Sequence, residues 1–290
     1  MEWINRSKIL IVGLGLMGGS YAKALKRLGY HVSAIDKDSG AVQYALDNSI
    51  IDAGSDEPDK ELISEADTII FALYPGIIAE WIKNNQSCFK SGIIITDVTG
   101  VKGAVVYDIQ KILRDDVEFI AAHPMAGREL SGVENSDERI FREANYIVVP
   151  TDKNSQEAIE WCENLGRLLG FSNVSVLSPE EHDRMIAYVS QLTHCIAVSL
   201  MTCHDDERIA DFTGDSFRDL TRIARINENM WTELFFMNRE KLLAEMDAFV
   251  NEFQFLRQCI VDGDSEALKA KMRLSTDRRK AFDRKKSEKR

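Results

Sequence analysis

A strand-like run followed by a glycine-rich turn constrains the fold of this chain more than any other part of the sequence. Residues 9–12 are apolar and mostly β-branched, as is typical of a strand buried on both faces. Gly13, Gly15 and Gly18 follow in the spacing G-x-G-x-x-G. In such a turn the first glycine permits a tight bend, the second lets a pyrophosphate approach the backbone, and the third lets the next helix pack closely. The stretch predicts a strand, a phosphate-binding turn and a helix.

A carboxylate closes the same unit. A helix is predicted for residues 20–28, with Gly29 at its C-terminus, and a second strand for residues 31–35. That strand leads into Asp36, 23 positions after Gly13. At about this spacing a carboxylate accepts the adenine-ribose hydroxyls of NAD, and its charge repels the 2′-phosphate of NADP. NAD is therefore the predicted cofactor, and a Rossmann unit that binds another nucleotide or none is the alternative. The residues predicted to bind it on this unit are Gly13, Gly15, Leu16, Met17, Gly18 and Asp36.

Length and composition are those of an ordinary globular protein. The chain has 290 residues, 44% hydrophobic and 29% charged, which suits one large or two medium domains. No apolar run has the length of a membrane span, and the N-terminus lacks the profile of a signal peptide. The five cysteines include no C-x-x-C pair, which favours reduced thiols. We therefore expect a cytoplasmic protein with no membrane partner.

The charge balance argues against a nucleic-acid partner, because the net charge is −11. The exception is the tail at residues 276–290, which has eight Lys or Arg and three acids. Two interpretations of this tail are open: a basic patch that attracts a polyanion, and the solvated end of a helix.

Strand and helix patterns alternate up to Ser178. Strand patterns occur at residues 67–73, 93–97, 117–122, 145–149 and 174–177, and helix patterns at residues 77–88, 103–113 and 154–170. Such alternation predicts right-handed crossovers and a doubly wound parallel sheet with helices on both faces. Ser178, Pro179 and Glu181 then form a helix-start signature, and no strand pattern follows. We expect a Rossmann-type NAD-binding domain at residues 1–177 and an all-helical domain at residues 178–290.

A histidine is predicted at the edge of the sheet where ligands bind. In an open parallel sheet, ligands lie beyond the carboxyl ends of the strands. Three stretches fall there: residues 74–76, residues 97–102 with Thr99, which is assigned to the cofactor, and residues 122–129 with His123. His123 is expected in a loop directly after a strand, exposed to a bound cofactor, with a pKa suited to proton transfer. The alternative is a histidine that only hydrogen-bonds the backbone.

The helical half adds His194 and Arg222 as candidates. Arg218, Arg222 and Arg225 are spaced by four and three residues, so they are expected to share one helix face. Two interpretations are open: the arginines meet acids across a dimer interface, or one of them clamps a substrate carboxylate.

No metal site is predicted. His182, His194 and His204 lie 12 and 10 residues apart, with no paired ligand. The acidic neighbours of His182, among them Asp183, are expected on a solvated first turn of a helix.

Taken together, these stretches resemble the prephenate and arogenate dehydrogenase family of tyrosine biosynthesis over nearly the whole chain. The motifs that carry the resemblance are the glycine turn at residues 12–20, residues 97–102, the His-Pro segment at residues 123–129 with Ser131 and Gly132, the segment around His194, and residues 221–231. The His-Pro segment and the Thr-Arg-Ile-Ala sequence at residues 221–224 are specific, whereas the glycine turn alone is not.

The resemblance implies a nucleotide-binding domain, a helical domain that forms a homodimer, and an oxidative decarboxylation that needs no metal. It implies that His123 acts as base toward the ring hydroxyl and that Arg222 holds the ring carboxylate. His194, which is grouped with these two as catalytic, lines the substrate pocket. The residues that the resemblance assigns to substrate binding are Ser190, Glu129 and Trp231. Arg128 is added to them because its charge lies beside the loop of His123.

One departure from the family pattern concerns the base. Many relatives carry Gly-Ser before Val-Lys, where this chain has Thr99 and Gly100. A serine hydroxyl that would assist His123 is therefore absent, and either Thr99 or a water is expected to replace it.

Two other classes of function compete with this interpretation. β-Hydroxyacid dehydrogenases have a similar glycine turn and a helical second domain, but they use a lysine on the first long helix after the boundary. Residues 178–203 contain no lysine. A non-catalytic, NAD-sensing dimer would bind NAD but need neither His123 nor Arg222, so an absorbance assay at the NADH band with prephenate distinguishes it from the enzyme.

Substrate and assembly are predicted from charge and apolar surface. The surplus of cations at Arg128, Arg218 and Arg225 favours prephenate over arogenate, although Glu129 suits the ammonium of arogenate. Apolar stretches at residues 234–237 and 249–256 exceed what a small helical domain covers alone, so a homodimer is expected, with packing inside one chain as the alternative.

Overall fold

The computed structural model describes residues 7–127 and 130–287 of the chain. Its contacts divide the chain into two compact units, Met1–Lys241 and Leu242–Arg290. The first unit holds the sheet and also the helices that follow it up to residue 241. The second unit holds most of one long helix and the whole of the last one.

One eight-stranded sheet lies at the centre of the first unit. Its strands are β1 Lys8–Val12, β2 His31–Ile35, β3 Ala53–Ser55, β4 Thr68–Phe71, β5 Ile94–Asp97, β6 Glu118–Met125, β7 Asn145–Val149 and β8 Asn173–Val176. Their spatial order is β3-β2-β1-β4-β5-β6-β7-β8. The first six strands are parallel and have the order of a dinucleotide-binding Rossmann sheet. The predicted fold class is confirmed.

The seventh strand departs from the predicted parallel arrangement. β7 runs antiparallel to β6, with Ala121 opposite Val149 and Met125 opposite Asn145. A parallel neighbour requires a crossover to the other end of the sheet. Among the described residues, the connection from β6 to β7 holds only the 3₁₀ turns Val133–Asn135 and Glu138–Phe141 and no α-helix. The chain therefore re-enters the sheet at the same end at which β6 left it.

Helices alternate with the strands and then replace them. The α-helices in the described residues are α1 Leu16–Arg27, α2 Ser39–Asp47, α3 Lys60–Glu65, α4 Pro75–Asn85, α5 Gly103–Ile112, α6 Gln156–Leu169, α7 Pro179–Ile186, α8 Thr193–Thr202, α9 Asp215–Thr221, α10 Glu228–Met237, α11 Arg239–Asp262 and α12 Ser265–Ser287. Every described element after β8 is helical, as predicted. β3 and α3 were not predicted, because three and six residues are too short to show a period.

Both faces of the sheet are buried. Along β1, Ile9 and Ile11 belong to one apolar cluster, and Leu10 and Val12 belong to another. Because successive side chains of a strand point to opposite faces, the two clusters lie on the two sides of the sheet. Helices α1 and α6 contribute to the first cluster, and α4 and α5 to the second. Leu234 of α10 also belongs to the second cluster, which places a helix of the C-terminal half directly against the sheet domain.

The first helix after the sheet starts as the sequence predicts. The Ser178 hydroxyl accepts a hydrogen bond from the Glu181 N–H, and the Glu181 side chain accepts one from the Ser178 N–H. The helical segment Pro179–Thr202 is long and apolar enough, by length and composition alone, to cross a membrane. One such helix is weak evidence of a membrane span, since the core helix of a soluble protein meets the same criteria of length and composition.

Gly18→Ala is predicted to destabilise the fold, whereas Gly15→Ala is its matched control. A Cβ at Gly18 would lie 1.8 Å from the carbonyl oxygen of Gly13, and a Cβ at Gly15 would meet no atom within 4 Å. We expect Gly18→Ala to lower the free energy of unfolding by about 1–3 kcal/mol or more, because backbone must shift. Gly15→Ala should cost less than about 1 kcal/mol. Denaturant unfolding followed by circular dichroism measures both, and equal stability of the two variants would contradict the packing described here.

Candidate active site

The glycine turn has the geometry that a dinucleotide phosphate requires. Gly13 has a φ of +103°, and its N–H donates to the carbonyl of Ile35 at 2.8 Å, which ties the turn to β2. Gly15 is exposed, and the space around its α-carbon is open. Because α1 begins at Leu16, its unpaired N–H groups and the positive end of its dipole face that opening. The residues of the turn therefore fit a bound diphosphate.

Asp36 lies beside the same turn. Its carboxylate accepts hydrogen bonds from the N–H groups of Leu14, in the glycine turn, and of Asp38, at 2.9 Å for the latter. These bonds hold the carboxylate at the carboxyl end of β2, where a ribose next to the diphosphate would lie. The structure thus brings together the residues that the glycine turn and β2 were predicted to contribute to NAD binding, which are Gly13, Gly15, Leu16, Met17, Gly18 and Asp36.

His123 lies inside β6, two residues before its end, and pairs with Ile147 of β7. The prediction that it follows the strand in an exposed loop is wrong. Pairing with β7 extends the strand to Met125, and the residue is half-buried. Burial, and then the charges of His182 and Lys102, lower the pKa of His123 well below 6.5. The imidazole is therefore neutral at neutral pH and able to accept a proton.

His182 and Asp183 of α7 are part of the site, contrary to the prediction of a solvated helical turn. Both are buried, at 0% and 2% exposure. His182 Nε2 lies 2.8 Å from Nδ1 of His123, and His182 Nδ1 lies 2.8 Å from Oδ1 of Asp183. The Asp183 carboxylate also accepts the N–H groups of Lys102 at 2.9 Å and Gly103 at 2.8 Å. Although burial alone would raise the pKa of Asp183, the bonds from His182 and the Gly103 N–H lower it.

A sequence signal for these two residues exists. The buried positions of this segment are Pro179, His182, Asp183, Ile186 and Ala187. They recur at the spacing of the inward face of an amphipathic helix. The periodicity therefore places the histidine and the aspartate on the buried side of the helix, whereas composition alone suggested a turn exposed to solvent.

A buried ion pair fixes the loop after β5. Lys102 and Asp97 are fully buried, and Lys102 Nζ donates to Asp97 Oδ2 at 2.7 Å and to the carbonyl of Ala122 at 2.5 Å. Asp97 Oδ1 accepts the N–H of Ala122 at 3.1 Å. Ala122, which precedes His123, is thus hydrogen-bonded through both its N–H and its carbonyl. Burial lowers the pKa of Lys102, against the raising effect of Asp97.

Thr99 does not replace the missing serine hydroxyl. Its hydroxyl donates toward Asp97 and the carbonyl of Val101, and it accepts from Lys102 Nζ at 3.1 Å. It therefore takes part in the ion-pair network and makes no hydrogen bond to His123. A Cβ added to Gly100 would lie 3.8 Å from Nε2 of His123. The glycine thus places no side chain beside that nitrogen.

Buried amides tie α7 to α10. Asn238 Nδ2 donates to the carbonyl of Asp183 and to Oε1 of Gln191, each at 2.8 Å. Gln191 Nε2 donates to the carbonyl of Leu234 at 2.9 Å. Leu234 would also contact a Cβ at Gly100, at 3.6 Å. This amide pair was not predicted, and it positions the helical residues against the loop that flanks His123.

His194 and Trp231 lie together on the helical side. Residues Ala187–Leu192 form a π-helix, a geometry that often occurs at functional sites, and it contains Ser190. His194 Nδ1 lies 2.8 Å from the carbonyl of Ser190, and its ring packs against the Trp231 indole with centroids 3.7 Å apart and the planes tilted by 31°. Three of the predicted residues are thus in one cluster.

Arg222 belongs to the 3₁₀ turn Arg222–Ala224, which packs against α8, the helix that carries His194. The expectation that Arg218, Arg222 and Arg225 share a helix face is wrong. The α-helix ends at Thr221, and Arg225 is already extended. Arg218 instead donates to the carbonyl of Thr213 at 2.8 Å.

Two predicted substrate residues, Arg128 and Glu129, lie outside the described residues. Within residues 7–127 and 130–287, no group of three or more His, Cys, Asp or Glu side chains is arranged to hold a metal ion. All five cysteines are free.

A dinucleotide cradle and a neutral histidine thus lie at one edge of a parallel Rossmann sheet, where ligands of such sheets bind. The cradle suits a nicotinamide dinucleotide, and the histidine suits removal of a hydroxyl proton. Fold and site together define an oxidoreductase of the dehydrogenase class.

Comparison with known proteins identifies the family. Residues 21–175 match the nucleotide-binding domain of prephenate dehydrogenase, and residues 178–274 match its dimerization domain. The chain therefore belongs to the prephenate dehydrogenase family, and the predicted resemblance and enzyme class are confirmed.

Individual relatives agree with this assignment. The chain is 33% identical to prephenate dehydrogenase of Bacillus subtilis over 276 residues, which is 91% of this chain and 72% of the relative. It is 28% identical to cyclohexadienyl dehydrogenase of Zymomonas mobilis, over 93% of this chain and 96% of the relative. The crystal structure of prephenate dehydrogenase from Aquifex aeolicus, in complex with hydroxyphenyl propionate and NAD+, has a TM-score of 0.86 at 29% identity and covers 95% of this chain and 98% of that chain.

Proposed function

We propose that this chain catalyses the NAD-dependent oxidative decarboxylation of prephenate to 4-hydroxyphenylpyruvate, in tyrosine biosynthesis. The observation that carries the proposal is the neutral His123 at the ligand-binding edge of the sheet, where Gly100 places no side chain beside its Nε2. Family membership supplies the substrate class.

In the proposed mechanism, His123 takes the proton of the ring hydroxyl at Nε2. NAD, when bound, supplies the acceptor for the hydride that leaves the carbinol carbon. Loss of the ring carboxylate as CO2 then leaves an aromatic phenolate, which takes the proton back from His123 to give the phenol. Formation of the aromatic ring makes the reaction effectively irreversible. Residues Gly13, Gly15, Leu16, Met17, Gly18 and Asp36 would hold the cofactor, and the loop that carries Thr99 would border it.

The helical residues are proposed to hold the substrate. Arg222 pairs with the ring carboxylate, for which a planar guanidinium is suited. His194 and Ser190, with Trp231 packed against the histidine, line the pocket. Arg128 and Glu129, which lie outside the described residues, are proposed at the side-chain end of the substrate. We also place the boundary of the two domains at residues 177/178, next to the capping box of α7.

The chain is proposed to act as a homodimer in the cytoplasm, with no membrane or nucleic-acid partner. The match to a dimerization domain supports the dimer. Large apolar side chains of the helical half are exposed in the single chain, among them Phe236 at 72% and Phe253 at 63%. Free thiols support a reducing compartment.

The proposed reaction predicts that the purified chain forms NADH when given NAD and prephenate. The rate of absorbance increase at the NADH band measures it, and kcat/KM with arogenate provides the comparison. We expect prephenate to be preferred. No NADH with either substrate would refute the proposed function, whereas a tenfold preference for arogenate would reassign the substrate only.

His123→Asn is predicted to lower kcat by roughly 10²–10⁴-fold, the usual contribution of a general base, with little change in KM for prephenate. Arg222→Ala should instead act mainly on KM. Because the base must be neutral and its pKa is lowered by burial and by His182 and Lys102, activity should persist as pH falls to 6.5 and be lost only below it. His204→Gln, at an exposed histidine, is the control. Near-normal turnover of His123→Asn would place the chemistry elsewhere.

The carboxylate of Asp36 is predicted to select NAD over NADP. Asp36→Ser should narrow the difference in kcat/KM between the two cofactors, because it removes a negative charge beside the site of the 2′-phosphate. Steady-state kinetics with both cofactors test this. Equal efficiency of the unmodified chain with NAD and NADP would show that Asp36 does not select the cofactor.

The dimer is predicted to persist at micromolar concentration. Sedimentation velocity should give about twice the mass of a 32.8 kDa chain. Phe253→Glu, which places a charge on an exposed apolar surface of α11, should shift the mass toward the monomer. A monomer mass for the unmodified chain would refute the assembly.

A further inference from the structure

Two buried side chains and the half-buried His123 form a hydrogen-bonded row that ends at the proposed base. The row runs from Asp183 Oδ1 to His182 Nδ1 and from His182 Nε2 to His123 Nδ1, with 2.8 Å at each step. Asp183 is anchored in turn by two backbone N–H groups at the start of α5. Two residues of the row are on α7, in the helical half, and the third is on β6.

The chemistry of Asp183 sets the direction of every hydrogen bond in the row. The carboxylate accepts two backbone N–H groups and lies at the positive end of the α5 dipole, so it is ionised and can only accept. His182 therefore donates from Nδ1. Burial lowers the pKa of His182, so its ring is neutral and Nε2 is an acceptor. His123 must then donate from Nδ1, which leaves its Nε2 unprotonated.

We propose that His182 and Asp183 are positioning residues that hold His123 as the Nδ1–H tautomer, so that the lone pair of Nε2 faces the substrate hydroxyl. This inference rests on the proposed function for the identity of the substrate. It does not rest on it for the tautomer, which follows from the hydrogen bonds of the row together with the neutral ring of His182.

The local environment gives His182 this role. Gly100 has no side chain to orient the ring, and the Thr99 hydroxyl is engaged by Asp97, Val101 and Lys102. In the described part of the chain, His182 is the side chain that hydrogen-bonds His123. This row therefore supplies the hydrogen bond that orients the His123 ring.

Charged and titratable groups from two elements face the row. The groups that face it are Lys102 and Asp97 from the loop after β5 and His182 and Asp183 from α7. Lys102 is neutralised by Asp97, with which it pairs at 2.7 Å. The Asp183 carboxylate bonds the ring of His182, whereas burial and the charges of His182 and Lys102 lower the pKa of His123 and keep it the neutral base.

Nitrogen NMR of the protein labelled with 15N-histidine tests the tautomer without substrate or cofactor. The ring signals of His123 are identified as those absent from His123→Asn. We expect a protonated Nδ1 and an unprotonated Nε2 in the unmodified chain. In His182→Leu, a large share of His123 should become the Nε2–H form that histidine favours in water. A protonated Nε2 in the unmodified chain would overturn the proposal.

Steady-state kinetics test whether the tautomer of His123 affects catalysis. His182→Leu should lower kcat by roughly 10- to 100-fold, the effect of a misplaced reacting group, and leave KM for prephenate within about threefold. His182→Gln, whose carbonyl can still accept from Nδ1 of His123, should recover most of that loss, which a purely structural role does not predict. Asp183→Asn should resemble His182→Leu, because an amide nitrogen among N–H donors disfavours the same tautomer.

Controls separate this proposal from the proposed function. His204→Gln should match the unmodified chain in kcat, and melting curves of all variants identify any that fail to fold. Unchanged kcat in a folded His182→Leu variant would overturn the positioning role. If the NMR shows the expected tautomer but no NADH forms with prephenate or arogenate, the proposed function fails while the tautomer assignment stands.

Discussion

A single buried carboxylate, Asp183, joins the parts of this site that come from different regions of the chain. It accepts the N–H groups of Lys102 and Gly103 at the start of α5, and it accepts the ring N–H of His182 on its own helix. Burying a charge is costly unless hydrogen bonds replace its hydration. Here three donors do so, and the α5 dipole adds to them. The position of α7 against the sheet domain is therefore fixed by where this charge can be satisfied.

A buried ion pair stabilises the other side of His123. Replacing a buried ion pair by apolar residues is often neutral, so the pair of Asp97 and Lys102 is weak evidence of stability in itself. Its effect here is geometric, because Asp97 and Lys102 between them bond both backbone groups of Ala122. The strand that presents His123 is thereby tied to the neighbouring loop. The amide pair of Gln191 and Asn238 does the same for the helices on the opposite side.

Features that depend on local chemistry could be predicted from the sequence, and those that depend on packing could not. The glycine spacing, the carboxylate at the end of β2 and the capping box at Ser178 are local, and all three appear as expected. The strand boundary at His123 was misplaced, because the extension of β6 depends on pairing with β7 some 20 residues later. The end of the α-helix at Thr221 could not be predicted, because no glycine or proline follows it directly. His182 and Asp183 looked solvated because a polar sequence gives no sign of its buried partners, although their helical spacing did contain that information.

The position of the row has a consequence for how such enzymes can be recombined. The proposed base belongs to the sheet domain, whereas the two residues that orient it belong to the helical half. The nucleotide-binding half is therefore not a self-sufficient module, since by itself it would hold a histidine free to place its proton on either nitrogen. Chimaeras that exchange one half between relatives must keep the pair on α7 matched to the strand that carries the histidine. Coevolution across the junction, rather than within either half, should preserve the reactivity of this site.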